Sequence, residues 1–313
     1  MTTTGCHTFA VSGPLLILDS ATLYYRAYYA LPEKMTAPNG NPHNAIRGFL
    51  SMLTKLISLH HPSGLAAAWD NDWRPAWRVE LVPSYKTHRL EVTSGQEEVP
   101  DTLSPQIDAI AAILDAWGVA RIGIDGFEAD DVIASVAAQH QGRSFVVTSD
   151  RDLIQVVSDR VSLLLQVSGG VENWPVLDPD AIESKYGVSP KSYLSMAALR
   201  GDPSDGLPGI PGIGDKTASA LINAYADLDA LIKASGSLDF DKPLTPRLAE
   251  RITSGADYLA AAMTVITAEE RLPVGAWSVE IPYEPVDSQS LNELAVSWGV
   301  EKYVEELLQA ALG

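Results

Sequence analysis

The chain has 313 residues, which is enough for one large domain or two of ordinary size. With 46% hydrophobic and 20% charged residues, its composition is that of a globular protein and excludes collagen-like, low-complexity and mostly disordered chains. The formal net charge of −18 argues against nucleic acid as a partner, unless many acids are gathered in one place and neutralised by metal ions.

Short apolar runs alternate with helical patterns through the first 180 residues. The runs at 15–18, 65–69, 122–124, 145–149 and 161–166 predict buried strands. Helical periodicity predicts helices over 44–59, from 104 to just before Gly118, and from about 130 to 141. Strands separated by helices indicate an α/β fold with a mostly parallel central sheet flanked by helices.

The rest of the chain has a different character. Residues 71–103 are polar, and a connection this long without strands is typical of a functional or mobile segment. After Pro179 the pattern is helical, with a Gly-Pro-rich hinge at 206–214 and a last helical stretch at 290–312. We therefore predict an α/β domain over 1–179 and a helical region over 180–313.

The first residues of the chain indicate which cysteine chemistry and which cellular location to expect. Cys6 is the single cysteine, so an internal disulfide and a cysteine-based zinc site are excluded. The first residues carry no basic segment, and the apolar run at 15–18 is too short for a signal peptide or a membrane span. We expect a cytoplasmic protein with no membrane partner.

Carboxylates directly follow four of the predicted strands. Because the carboxyl ends of parallel strands meet at one edge, where such sheets bind ligands, we expect these acids to share one rim. There are seven of them: Asp19, Asp70, Glu128, Asp130, Asp131, Asp150 and Asp152.

Taken singly, each acid has a plain alternative explanation as the cap of a following helix, as for Asp19 or Asp130. Taken together, they would repel one another by roughly 1–4 kcal/mol per close pair, a cost that Ser, Thr or Asn caps would avoid. The cluster therefore predicts bound cations. Ligands that are all oxygen favour Mg²⁺ or Mn²⁺ over zinc.

The segment GLPGIPGIGDKTASALI at 206–222 resembles two phosphate-binding loops and matches neither. Asp215 separates Gly214 from Lys216, which excludes a P-loop, and the glycine order excludes the dinucleotide fingerprint. The pattern predicts a helix, a tight glycine turn and a second helix that begins near Lys216 and Thr217. Backbone N–H groups at that helix start can hold a phosphate, although a plain αα-hairpin is the alternative.

Five segments together resemble the 5′-nuclease (flap endonuclease) superfamily, most closely the 5′-nuclease domain of bacterial DNA polymerase I and its free-standing relatives. In family order they are LILDSATLYYRAYYAL, WDNDWRPAWRVELVPSYKTHR, GFEADDVIAS, VVTSDRDLIQVVSD and LRGDPSDGLPGIPGIGDKTA. The resemblance covers roughly residues 14–270. It implies a PIN-like or resolvase-like fold, a helical arch at about 71–105 and a helix-hairpin-helix at 206–222.

The resemblance also implies an activity, namely 5′-3′ exonuclease and flap endonuclease action on DNA by two-metal-ion catalysis in replication and repair. The implied partners are DNA with 5′ flaps, nicks or ends, bound by a monomer at the nucleoid. The implied cofactors are two or more Mg²⁺ or Mn²⁺ ions, with K⁺ at the helix-hairpin-helix. The remainder of the arch, at 91–101, is acidic, so we expect only weak electrostatic capture of a single strand.

Roles for individual residues follow from the same resemblance. Asp202 and Asp205, which alone would be explained as turn residues, join the seven acids as metal ligands. We hypothesise that one ion is served by Asp19, Asp70, Glu128 and Asp130, and the other by Asp131, Asp150, Asp152 and Asp205, with Asp202 outside. Asp130 and Asp150 are the acids on which we expect catalysis to depend most.

The predicted DNA contacts lie in two regions. Lys86 and Arg89 are three residues apart, so one helical turn puts both on the same face, and by resemblance they contact the scissile phosphate. Tyr25 would stack on the terminal base, Arg26 and Arg78 are weaker candidates for nearby phosphates, and we expect Tyr24, Tyr28 and Tyr29 to serve packing. At the hinge, the duplex backbone would meet Gly209, Gly212, Gly214, Lys216 and Thr217.

Three other functions stay open at this point. A PIN-type ribonuclease shares acids at the sheet edge but is typically shorter and lacks the hairpin. A catalytically inactive DNA-junction binding protein would keep the fold without the chemistry. A metal-dependent phosphatase would leave the hairpin and the stretch at 71–103 unexplained.

Overall fold

A six-stranded sheet forms the centre of the computed structural model, which describes residues 13–90, 98–225, 227–237 and 240–313. The strand order is β3-β2-β1-β4-β5-β6, and the first five strands are parallel, as predicted. The strands are β1 (Leu15–Asp19), β2 (Gly64–Ala68), β3 (Ala120–Ile122), β4 (Ser144–Thr148), β5 (Val161–Leu165) and β6 (Val176–Leu177).

Two details of the sheet differ from the prediction. Strand β3 ends at Ile122, whereas the run IGI at 122–124 was predicted to form it, because the pairing with β2 uses Ala120, Arg121 and Ile122. The short strand β6 is antiparallel to β5 and was not predicted, since its two residues have no detectable alternation.

Helices cover both faces of the sheet, because alternate residues of β1 point to opposite sides. Leu16 and Leu18 face a core shared with α1 (Ser20–Ala30), α2 (Asn44–His60) and α4 (Ser104–Trp117). Leu15 and Ile17 face a second core shared with α5 (Ala129–Gln139). The three helices predicted from periodicity are confirmed as α2, α4 and α5, and α4 is followed by its C-cap Gly118, which has a left-handed φ of 100°.

The helices after residue 178 divide between the two faces. The first group packs on the α5 side, and the last two helices pack on α2 and α4. The first group comprises α6 (Pro179–Tyr186), α7 (Pro190–Arg200), α8 (Asp215–Ala224), α9 (Leu228–Ser235), α10 (Pro246–Ser254) and α11 (Ala256–Ile266). The last two are α12 (Ser288–Trp298) and α13 (Glu301–Leu312), which meet at Gly299 within the single stretch predicted at 290–312.

In its described residues, the long connection between β2 and α4 contains one short helix, α3 (Ala76–Leu81), and a 3₁₀ turn at Thr87–Arg89. Residues 91–97, which include most of the predicted acidic part of the arch, lie outside the described residues, as does Cys6. The helical arch at 71–105 therefore stays a prediction. No helix in the described part of the chain is long and apolar enough to cross a bilayer.

Candidate active site

The carboxyl ends of the parallel strands bring the predicted acids to one edge of the sheet. Asp19 is the last residue of β1, and it is 4% exposed. Asp70 lies two residues beyond β2, and its Oδ1 accepts a hydrogen bond of 2.9 Å from the Ala129 N–H at the start of α5. Glu128 is the N-cap of α5, so the strand ends and the helix start are held together at this rim.

Asp19 and Asp150 are connected through the hydroxyl of Thr148, the last residue of β4. Thr148 Oγ1 donates to Asp19 Oδ2 over 2.7 Å and accepts from the Asp150 N–H over 2.8 Å. Asp150 Oδ1 in turn accepts from the Asp152 N–H over 2.8 Å. A single buried threonine therefore orients acids from two neighbouring strands.

The turn that precedes the hinge is attached to the same rim. The Lys86 N–H donates to the Asp205 carbonyl over 3.0 Å, and Ser84 Oγ donates to the Gly206 carbonyl over 2.7 Å. Arg89 donates to Asp205 Oδ1 over 3.0 Å. Asp205 therefore joins the strand-end acids although it lies far from them in sequence.

Burial and mutual repulsion raise the pKa values of five carboxyl groups at this rim. Burial raises the pKa of Asp19 to about 7, and the charges of Asp70 and Asp150 add to this effect. Burial likewise raises the pKa of Asp205 to about 6, with a contribution from Asp150. The pKa values of Asp70, Asp130 and Asp152 are raised for the same reasons.

These electrostatic interactions connect eight of the nine predicted acids into one cluster, which we call the acid rim. Its members are Asp19, Asp70, Glu128, Asp130, Asp150, Asp152, Asp202 and Asp205.

Asp131 is the exception, and the prediction that it is a metal ligand is wrong in this structure. Its Oδ1 accepts from Arg78 and from the Glu269 N–H, and its Oδ2 accepts from Arg78 and from the Glu128 N–H, over 2.7–3.1 Å. A carboxylate has about four lone-pair sites, and all of those of Asp131 are occupied by the protein. Asp131 holds the start of α5 in place instead.

Arg78 is likewise not at a DNA-facing surface, contrary to the prediction. It is 2% exposed, and its guanidinium also contacts Glu128 Oε1 at 2.8 Å. Burial between two carboxylates leaves this side chain no path to a phosphate. The neighbouring helix α3 therefore serves to position Glu128 and Asp131.

Lys86 and Arg89 both face the acid rim, as predicted. They do not lie on one turn of an α-helix, which was the predicted reason. Lys86 lies just before the 3₁₀ turn with a left-handed φ of 48°, and its Nζ contacts Glu128 Oε2 and the Trp73 carbonyl. Arg89 is half-exposed and pairs with Asp205. Both side chains line a cavity of about 810 Å³ that also contains Asp70.

Helix α1 forms the opposite wall of this cavity. Tyr25 and Arg26 line it, and Arg26 donates to the Val167 and Gly169 carbonyls, which ties α1 to the loop after β5. Tyr29 also lines the cavity and is 73% exposed, so the expectation that it serves packing is wrong. Tyr28 does serve packing, with its hydroxyl 2.9 Å from Thr102 Oγ1.

The hinge has the backbone geometry expected of a tight glycine turn between helices α7 and α8. Gly209 and Gly212 have φ values of 66° and 80°, and a Cβ on Gly209 would lie 2.4 Å from the Arg200 carbonyl carbon. Gly214 is the N-cap of α8, and Lys216 and Thr217 lie in its first turn. Lys216 is exposed, so its ammonium is accessible beside the helix start.

Sequence reasoning missed several residues of the site. Thr148 gave no signal beyond its place at a strand end. Tyr85 donates to Glu128 Oε1 over 2.9 Å. In the sequence it stands directly before Lys86, and nothing there indicated a role of its own. Arg200 lies 3.6 Å from Asp202 Oδ2 and donates to Asp215 Oδ1 over 3.1 Å, so it neutralises acids on both sides of the hinge.

The donor set of the acid rim fits divalent metal ions by chemistry and charge. Asp152 is 8% exposed, and its buried Oδ1 has no hydrogen-bond donor in the described part of the protein. The potential ligand atoms of the acid rim are carboxylate oxygens, which suit hard cations. Within the described residues, no three acidic, histidine or cysteine side chains converge on one point. The acid rim therefore has the type of donor atom that such ions prefer, but its side chains do not form a ready coordination shell.

The raised pKa values predict how the metal-free protein responds to pH. Because the folded pKa of Asp19 is about 7 and its ordinary value is 3.8, the folded state binds this proton more tightly than the unfolded state does. We expect the melting temperature in chelator to fall by several degrees between pH 5 and pH 7.5. Mg²⁺ or Mn²⁺ should reduce this fall because it binds the ionised carboxylates of the folded state.

The measurement is a thermal melt at several pH values with and without metal. Asp19→Asn should flatten the pH dependence in chelator, whereas Asp115→Asn, which removes an exposed carboxylate paired with Arg121, should not. An equal loss of stability with and without metal would contradict the assignment of the acid rim as a cation site.

Comparison with known proteins identifies relatives of the whole chain. The family model for the N-terminal resolvase-like domain of 5′-3′ exonucleases matches residues 14–187, and the model for their C-terminal SAM fold matches residues 188–289. A 5′-3′ exonuclease of Streptomyces coelicolor is 45% identical over 300 residues, covering 94% of this chain and 98% of the relative. DNA polymerase I of Mycobacterium tuberculosis is 41% identical over 222 residues, covering 70% of this chain and 24% of the polymerase.

Solved structures share the fold at lower identity. The T5 D15 protein co-crystallised with metal ions has a TM-score of 0.64 and 17% identity, covering 95% of this chain and 99% of its own. The catalytic core of Rad2 in complex with a DNA substrate has a TM-score of 0.59 and 16% identity, covering 97% of this chain and 94% of its own. The predicted fold class, a mostly parallel sheet with a helical C-terminal part, is confirmed.

Proposed function

This chain belongs to the 5′-3′ exonuclease family, and from that premise we propose that it hydrolyses phosphodiester bonds in DNA that carries 5′ flaps, nicks or ends. The observation that carries the proposal is that the acid rim reaches, through Asp70, a cavity that is also lined by Lys86 and Arg89. Clustered carboxylates beside cationic side chains suit a site for metal ions and a phosphate.

The metal ions we propose are Mg²⁺ or Mn²⁺, two or more in number. When bound, such ions lower the pKa of a coordinated water and neutralise charge on a phosphodiester. The proposed ligands are Asp19, Asp70, Asp130, Asp150, Asp152 and Asp205, with Asp202 outside and Glu128 shared with Lys86.

The protein's own cations would hold the scissile phosphate. Lys86 is held between Glu128 and the cavity, so its charge is fixed in position before DNA binds. The pKa of Lys86 is raised well above its usual value because Glu128 stabilises the ammonium, which keeps it charged at neutral pH. Arg89 is more exposed and can exchange Asp205 for a phosphate, while Tyr25 on the opposite wall would stack on the terminal base.

We propose that the hinge binds the duplex backbone without reading bases. Gly212 and Gly214 are exposed, and Lys216 and Thr217 lie where the N–H groups of α8 are open. Gly209, which was also predicted to contact DNA, is buried against the Arg200 backbone and serves the turn itself. The K⁺ that the resemblance implies at the hinge is part of the same proposal.

Lys216→Ala is expected to weaken binding of duplex DNA about tenfold, equally for all sequences, and to lower the slope of affinity against salt by about one. Fluorescence anisotropy at several salt concentrations measures both quantities. Lys302→Ala, which removes an exposed lysine on α13, is the matched control. A change in base preference would contradict a backbone contact, and equal affinity in K⁺ and Na⁺ would contradict the K⁺ site.

The function itself is tested by a product ladder. Flap, nicked and blunt DNA duplexes labelled at the 5′ end are incubated with Mg²⁺ or Mn²⁺, and fragment lengths distinguish exonuclease from flap-endonuclease action. Cleavage of RNA but not DNA would favour a PIN-type ribonuclease, binding without cleavage a junction-binding protein, and release of inorganic phosphate a phosphatase.

Three further expectations belong to this proposal. The chain acts as a monomer, in the cytoplasm at the nucleoid. The working division of the chain is an α/β catalytic part over 1–179 and a helical DNA-binding part over 180–313. An arch at about 71–105 admits the 5′ single strand.

A further inference from the structure

Helix α1 carries an exposed aromatic ring whose position the proposed chemistry does not use. Tyr29 is 73% exposed, one helical turn beyond Tyr25, and both side chains line the cavity that contains Asp70, Lys86 and Arg89. A tyrosine exposed to this degree contributes little to the stability of the fold. Stability of the fold therefore does not explain why an aromatic side chain lines a cavity that contains both cationic and acidic groups.

The two rings are nearly parallel. Their planes are 11° apart and their centroids are 6.4 Å apart, which agrees with side chains at i and i+4 on the same helical face. Stacked neighbours in a DNA strand are about 3.4 Å apart. Two successive bases resting on these two rings would therefore be separated from each other, as in an extended single strand and unlike a duplex.

Positive charge lies beside these rings. Arg26, between the two tyrosines in sequence, lines the same cavity and is fixed by its contacts with the Val167 and Gly169 carbonyls and by the Trp174 ring at 5.3 Å. A fixed guanidinium next to two parallel aromatic rings is a combination suited to a nucleic acid strand, whose bases stack and whose phosphates are anionic.

We propose that Tyr29 is a second stacking residue, which binds the second base of a 5′ single strand while Tyr25 binds the first. The inference rests on the proposed function, because it concerns the same substrate in the same cavity. It implies that the chain prefers ends with at least two unpaired 5′ nucleotides, since a shorter end leaves Tyr29 without a base.

The experiment compares wild type with Tyr29→Ala and Tyr29→Phe, using flap DNA that carries 2-aminopurine at the first or the second 5′ nucleotide, with hydrolysis prevented by chelator. Stacking quenches this fluorophore. We expect Tyr29→Ala to weaken binding of a two-nucleotide flap about five- to 150-fold and to remove quenching at the second position only. Tyr29→Phe should bind like wild type, because it retains the ring.

Tyr283, 67% exposed and outside the cavity, provides the control, and Tyr283→Ala should leave both readouts unchanged. Unchanged affinity and quenching in Tyr29→Ala would contradict the second stacking site while leaving the proposed nuclease intact. Failure of wild type to bind or cleave flap DNA with Mg²⁺ or Mn²⁺ present would contradict the proposed function and this inference with it.

Discussion

Replacing Asp130 or Asp150 by asparagine is expected to lower the rate of DNA cleavage at least about a thousandfold while leaving DNA binding unchanged or tighter. Both side chains belong to the acid rim, and the charge of Asp150 raises the pKa values of Asp19 and Asp130. Asparagine keeps the shape but removes the charge that would hold a cation. Because the same charge also repels the DNA phosphates, its removal does not weaken binding.

The measurement is a single-turnover cleavage assay with labelled flap DNA, together with an affinity measurement on the same substrate. The metal-free variants should also melt at a higher temperature than wild type, because one source of repulsion among buried carboxylates is gone. Asp115→Asn, far from the rim, controls for the loss of one negative charge. Near-normal cleavage by both rim variants would refute the metal assignment.

The position of most of the acid rim was predictable because it follows from topology. Asp19 ends a strand, and Asp70, Asp150 and Asp152 follow strands. The parallel pairing of those strands is indicated by the alternation of apolar runs with helices. Once the sheet is parallel, the ends of its strands share an edge whatever the details of packing. The order β3-β2-β1-β4 places these acids side by side.

Asp130 and Asp131 show where this reasoning fails. They are adjacent and chemically identical, but successive residues on a helix point about 100° apart, so only one of them reaches the rim. One signal was available: Glu128 and Asp131 have the spacing of a capping box, with the N-cap acid three residues before its partner, and the structure contains that box. The spacing favours a structural role for Asp131.

Thr148 and Arg200 could not have been identified from the sequence. A threonine at a strand end is common, and nothing in its neighbourhood indicates that its hydroxyl joins Asp19 to Asp150. Arg200 closes α7, where a basic residue is favourable in any helix. Its pairing with Asp202 and Asp215 depends on the path of the hinge, which glycines make hard to predict.

The buried ion pair of Arg78 and Asp131 is expected to contribute strongly to the stability of the fold. Arg78→Met is expected to lower the free energy of unfolding by about 3–5 kcal/mol, because it leaves the Asp131 carboxylate buried without its partner. Arg121→Met breaks a pair of the same type with Asp115, but on the surface, and should cost only about 0–1 kcal/mol. Urea denaturation gives the free energy of unfolding of each variant, and so compares the loss of a buried Arg–Asp pair with the loss of an exposed one.

A second substitution separates this structural role from a DNA contact. Because the cost in Arg78→Met comes from an unpaired buried charge, adding Asp131→Leu should restore part of the stability. If Arg78 instead contacted a phosphate, Arg78→Met would weaken DNA binding, leave the denaturation midpoint unchanged and gain nothing from the second change. The position of Glu128 depends on the same guanidinium, at 2.8 Å, so the single variant should also lose cleavage activity beyond its loss of folded protein.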